Sequence, residues 1–248
     1  MSGASMTLTR METRLFLREP MSLIFGLLFA PSLLVAMGYL FPGFDEPLPE
    51  IGGQRLIAVY SPTVIGLALA VLALMTLPTT LSTYREMGIL RRLRTTPTHP
   101  SRLLAAQVAA NAIVAIVASV ATVLAAWLVF DVPFPGSPLW FSLSFLLGMA
   151  AMFSVGLLIG ALARSPSASQ VIGFSLFFPM LFFAGVYVPR PFMSEGLITV
   201  SNLTPLGAAV ESMMDSWAGT TPDAAHLLVM VVYALVCGLL AMRLFRWE

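Results

Sequence analysis

The side chains that ordinarily do chemistry are few in this chain and badly spaced for it. There are two histidines, His99 and His226, and a single cysteine, Cys237. A zinc centre draws on several closely spaced Cys, His or acidic ligands, so neither a metal site nor an internal disulfide is expected. The thirteen basic residues are all arginine, and lysine is absent. A phosphate-binding P-loop needs its lysine to reach the β- and γ-phosphates, so this chain carries no ATPase site of that type. Schiff-base catalysis is excluded for the same reason. No arrangement of the twelve acidic residues stands out as catalytic. No catalytic, cofactor-binding or metal-binding residue is therefore assigned. A net charge of +1 offers no basic field for nucleic acid, which is excluded as a partner.

The elements that carry these residues are unusually apolar. Of the 248 residues 58% are hydrophobic and 10% charged, whereas a soluble domain carries about 25% charged residues. A helix needs about 20 apolar residues to cross the hydrocarbon core of a bilayer. Six such runs are legible, at 21–41, 58–83, 103–130, 139–163, 171–188 and 226–245. None has an acid or an arginine in its middle, and Arg243 sits at the last end. The first is expected to remain as a span and not to be a cleavable signal, since a charged segment precedes it. The expected class is an all-α polytopic membrane protein with one domain over 1–248.

Arginine placement sets the expected orientation. With both ends of the chain inside, eleven arginines (10, 14, 18, 85, 91, 92, 94, 102, 164, 243 and 246) fall on inner segments. Only Arg55 and Arg190 fall outside, together with eight acidic residues. Such a bias follows the positive-inside rule. It puts His99 and His226 at opposite faces, too far apart to share a site. Carriers driven by an ion gradient place ionisable groups at mid-depth. Here mid-depth polarity comes only from Tyr60, Gln107, Asn111 and hydroxyls, which disfavours that class.

Four segments add detail. Residues 6–19 repeat Arg10, Arg14 and Arg18 along one helical face, consistent with an interfacial helix or a basic flank of the first span. The inner loop 84–102 carries five arginines and closes at Pro97 and Pro100; a short helix over 84–95 fits it, as does a merely topogenic loop. The 189–225 segment is half apolar and broken by Pro191, Pro205 and Gly207, and reads as two short helices re-entering the outer leaflet or as an external cap. Along the fifth run, Phe174, Phe178 and Phe182 share a face with Phe177 beside them, suited to a greasy or cationic molecule or to packing against lipid. Gly156 and Gly160 form a small-xxx-small pair of the kind that lets helices approach.

Two stretches carry a family resemblance. In 84–107 the order Glu86, Gly88, Leu90, Leu93, Pro97 is similar to the coupling segment of ABC-2 type exporters, the class that includes daunorubicin-resistance permeases and lipid and polysaccharide exporters. In 174–206, Pro179, Gly185, Pro189, Pro191 and Pro205–Leu206 resemble its signature of a Pro-interrupted fifth span and a Pro-rich turn. Gly207, Ala208 and Ala209 stand where the family often has a polar or basic residue.

The resemblance implies a permease that pairs with a second copy of itself or a sister permease and docks on a separate cytoplasmic ABC ATPase. ATP and magnesium would be bound by that partner and no cofactor by this chain. Arg85, Glu86, Gly88, Leu90, Arg92 and Leu93 would belong to the ATPase coupling element. Tyr60, Phe174, Phe177, Phe178 and Phe182 would line the substrate path. The expected activity is export of a hydrophobic or amphiphilic drug-like compound across a bacterial cell membrane, in the manner of multidrug efflux and antibiotic resistance. A lipid or polysaccharide substrate is the alternative, and a gradient-driven carrier a more distant one.

Overall fold

The computed structural model describes residues 24–88 and 101–245. One π-helical turn, Ile24–Leu28, leads into α1, Phe29–Leu40. A two-stranded antiparallel hairpin follows, β1 (Pro47–Leu48) and β2 (Gln54–Arg55), with Pro47 opposite Arg55. Next come α2 (Leu56–Ala70), a π-helical segment (Val71–Thr76) and α3 (Leu77–Glu86), which run on as one rod. The rest is α4 (Ser101–Phe130), α5 (Pro138–Leu162), α6 (Pro166–Phe183), α7 (Glu195–Asn202), α8 (Pro205–Trp217) and α9 (Ala224–Leu244). The protein is all-α and polytopic. Among the described residues five helices are long and apolar enough to cross a membrane, with a shorter apolar helix, Gly26–Leu40, in the first run. Residues 21–23 of that run, the basic segment 6–19 and most of the loop after Gly88 lie outside the described residues.

Helix ends follow capping chemistry more closely than hydropathy. The run 171–188 is apolar throughout, yet the helix there is Pro166–Phe183. It starts early because Ser165 accepts a hydrogen bond from the Ala168 amide and Pro166 occupies the first turn. It stops at Gly185, whose φ of +89° suits a residue without a Cβ. There the Gly185 amide donates to the Phe182 carbonyl and the Val186 amide to that of Leu181, the bond pattern of a Schellman motif.

The Leu56–Glu86 rod is the centre of the bundle: 83% of its most apolar window is buried, against 17% for α6 and 11% for α9. α8 is short but equally interior, with Leu206, Ala208, Ala209, Val210 and Met213 fully buried. It wedges between α2, α5 and α9 because small residues make room for it. Gly66 lies under Val210, and Gly148 under Ala209 and Met230.

Small residues also seat the π-helical segment. A Cβ added at Gly156 on α5 would overlap the Ala73 carbonyl oxygen, and one at Gly173 on α6 would overlap that of Leu74. Pro78, in the first turn of α3, has no N–H to offer the Leu74 carbonyl four residues back. Close glycine contact lets three helices meet around backbone that is not in regular α form. Gly160, one turn beyond Gly156, packs on Leu81 and Pro78. Gly156→Val is expected to overfill this junction and cost about 1–3 kcal/mol. A thermal midpoint in detergent should fall by several degrees; an unchanged midpoint would show that α5 can move aside freely.

Candidate functional site

Polar groups gather at the two ends of the bundle. At one end the rod terminates in the sequence Tyr84-Arg85-Glu86-Met87-Gly88. The Met87 amide donates to the Thr83 carbonyl and the Gly88 amide to that of Arg85, and Gly88 takes a φ of +68°. A left-handed residue at this position ends an α-helix, which explains why glycine suits it. Successive residues of this last turn face different ways. Glu86 and Met87 are exposed. Arg85 turns inward, donating to the carbonyls of Ala163 (2.7 Å) and Gly160 (2.9 Å) at the C-terminus of α5. Its guanidinium also lies 5.0 Å from the centroid of the Phe245 ring. Tyr84 accepts a hydrogen bond of 3.0 Å from the Gln107 amide of α4.

At the opposite end Arg55 and Arg190 do similar work. Arg55 donates to the carbonyls of Phe130 (2.6 Å) and Asp131 (2.9 Å) where α4 ends, and pairs with Asp45 at 3.0 Å. Arg190 is buried, 4% exposed. It donates to the Phe183 carbonyl at the end of α6, to the Ser201 hydroxyl and to the Asn202 side-chain oxygen at the end of α7, and forms an ion pair with Glu211 on α8. One side chain thus fixes three helices. Gly185 makes this possible twice over, through its φ and because a Cβ there would sit 2.7 Å from Arg190 Cγ. Tyr60 on α2 donates its hydroxyl to the Val186 carbonyl in the same turn and packs edge-on against Phe44.

Between the ends the surface is apolar. Phe174 and Phe178 are about half exposed on α6, with stacked rings 6.2 Å apart, and Phe177 meets Phe178 edge-on at 5.7 Å. Phe182 is half-buried and packs edge-on against Phe183.

These largely apolar helices agree with what the sequence matches. The profile of the ABC-2 type transporter family covers residues 4–218. The chain belongs to the ABC-2 type transporter family. It is thus a multi-pass transmembrane permease of an ABC transporter, the membrane component and not the ATPase. Membership implies pairing with an ATP-binding subunit. No curated protein matches the chain.

Within this ABC-2 permease the residues singled out from sequence fall in three separate places. Arg85, Glu86 and Gly88 share the last turn of α3; Leu90, Arg92 and Leu93 lie outside the described residues. The phenylalanines lie along α6. Tyr60 is buried at 3% exposure and does not share the exposed Phe174–Phe178 surface. Pro179 lies inside α6, Gly185 ends it, Pro189 and Pro191 flank Arg190 in the 3₁₀ turn Arg190–Phe192, and Pro205 opens α8. Arg190 itself, with Ser201, Asn202 and Glu211, was not foreseen. Its only sequence signal is an arginine set between two prolines just after the glycine that ends α6.

Removing one partner of a buried ion pair leaves the other uncompensated. Arg190→Met is expected to destabilise the permease by about 3 kcal/mol, and adding Glu211→Gln should recover part of that loss. Thermal midpoints of the two single variants and the double variant check this; strictly additive losses would contradict the pairing.

Asp215 supplies a pH dependence. Burial, and secondly the neighbouring Glu211, push its carboxyl above the ordinary value of 3.8; His226, the Asp223 backbone amide and Arg190 pull the other way. A raised folded-state value means that the neutral carboxyl favours the fold. That contribution is complete below about pH 4 and is lost as pH rises through the folded value. Asp215→Asn should therefore melt above wild type at pH 7.5, with the gap closing towards pH 4. Equal midpoints at pH 7.5 would refute it.

Proposed function

We propose that this permease is the transmembrane half of an ATP-driven exporter for hydrophobic or amphiphilic, drug-like compounds. It works as a dimer, with a second copy or a sister permease, in a bacterial cell membrane, both ends of its bundle-forming chain facing the cytoplasm. The observation that carries the reading is the family match over 4–218. The arginine bias supports the orientation: the Arg85 end is cytoplasmic and the Arg190 end external. The membrane is its lipid environment, and the α7–α8 pair dips back into the outer leaflet.

In this reading the exposed Glu86 and Met87, Gly88 and the segment that follows with Leu90, Arg92 and Leu93 meet the ATPase. ATP and magnesium stay on that partner, and closure of its nucleotide sites pushes on the coupling segment. The aromatic surface of Phe174, Phe177, Phe178 and Phe182 supplies an apolar, polarisable path, because aromatic faces attract planar and cationic amphiphiles. Tyr60, through its bond to the Val186 carbonyl, holds the external end of that path. Export fits better than import, since the inner loop lacks the longer docking pattern of importers.

The test is purification of the tagged chain in mild detergent with identification of what accompanies it. A stoichiometric ATPase bearing a P-loop is expected, and Glu86→Arg should lower its recovery by about tenfold, as charge reversal at a docking contact does. A folded permease that brings down no ATPase would overturn the proposal.

A further inference from the structure

Resting on the reading above, we propose that Arg85 makes no contact with the ATPase but is the positioning residue that passes movement of the coupling segment to the α5–α6 turn. Three observations on the last turn of α3 carry this. First, the Arg85 side chain points away from the exposed Glu86–Met87 surface and spends its fork on the Gly160 and Ala163 carbonyls. Those carbonyls end α5 and carry the negative pole of that helix. A planar guanidinium spans two of them at fixed geometry, which an ammonium cannot do. Second, the chain beyond Ala163 turns directly into α6 through the Ser165 cap and Pro166. Whatever displaces Ala163 therefore displaces the start of the helix that carries Phe174 and Phe178. Third, the same turn is tied to α4 through Tyr84 and Gln107, and to the end of α9 through the Phe245 ring.

Arg85 directly precedes the exposed Glu86 and Met87 and the left-handed Gly88, which lets the chain leave the rod at an angle. A push on that segment reaches the rod at Arg85 and is shared among α4, α5 and α9. The rod is buried, so the force meets packed helices and not loops.

The experiment uses the permease with its co-purified ATPase in liposomes. Cys237 is replaced by alanine, and an environment-sensitive fluorophore is placed on Ser167→Cys, an exposed position in the first turn of α6. Trapping with ATP and orthovanadate reads movement of the α5–α6 turn without a substrate. In the parent the fluorescence changes. In Arg85→Gln the ATPase should still bind and hydrolyse ATP, while the response falls at least about fivefold. Arg85→Lys, which keeps the charge without the fork, should restore only part of it. A full response in Arg85→Gln, or loss of ATPase binding by it, overturns the proposal. Should Arg85→Gln fail to reach the membrane, Arg85→Lys and Phe245→Leu decide: both must lose at least half of the response, and a full response in both overturns it. Absence of any ATPase from the parent is a separate result, which removes the exporter reading itself.

Discussion

The last carbonyls of a helix have no amide of their own helix left to bond, and in an apolar medium they find no water either. At the ends of this bundle guanidinium groups take up that deficit. Arg55 closes α4, Arg85 closes α5, and Arg190 closes α6 while reaching the last turn of α7. Each arginine belongs to a different segment from the helix it closes, so every cap is also a tie between distant parts of the chain. Arginine suits the task because its fork offers several donors in a fixed plane and its charge complements the helix terminus. The complete absence of lysine has a structural counterpart in these sites.

The interior is organised on a second constraint, the close approach of backbones. Apolar side chains gain nothing by leaving lipid for one another, so packing must come from shape and from small residues. Gly66, Gly148, Gly156 and Gly173 are the contact points, and all of them surround the Leu56–Glu86 rod or α8. The prolines cooperate with the glycines: Pro78 withholds a donor from Leu74, and Gly173 accommodates the carbonyl left behind. The result is a rigid centre with α6 and α9 laid around it, their outer faces rich in exposed apolar side chains such as Phe178, Leu228 and Leu235.

These two constraints divide the molecule. The last turn of α3 leaves Glu86 exposed and turns Arg85 to the bundle, so successive residues of one helical turn face outward and inward. At the far end the Arg190 hub joins α6, α7 and α8 and receives the Tyr60 hydroxyl through the neighbouring turn. Between them lies the aromatic surface of α6, attached to both ends: to the Arg85 latch through Ala163 and to the Arg190 hub through Phe183.

Membrane character, the arginine asymmetry and the family were all legible from the sequence, because they depend on local composition and on motifs that survive without a fold. Gly88 and Gly185 were legible as motif members, and the structure supplies their reason, a left-handed residue that ends a helix. Apolar runs overshot or undershot helices such as Pro166–Phe183, since a hydropathy pattern is blind to the cap at Ser165. Arg190 read as a charge in an external loop and Arg85 as a docking residue. Their partners lie 7 to 21 residues away for Arg190 and 75 and 78 for Arg85, and no spacing rule connects such positions. Tyr60 looked like a mid-depth polar group, yet it is a buried tie to Val186. The sequence by itself determined that the chain is a multi-pass membrane protein of this family; the tertiary structure decided which polar groups hold the helices together, because a carbonyl left open at one helix end can be satisfied by any donor the fold brings near.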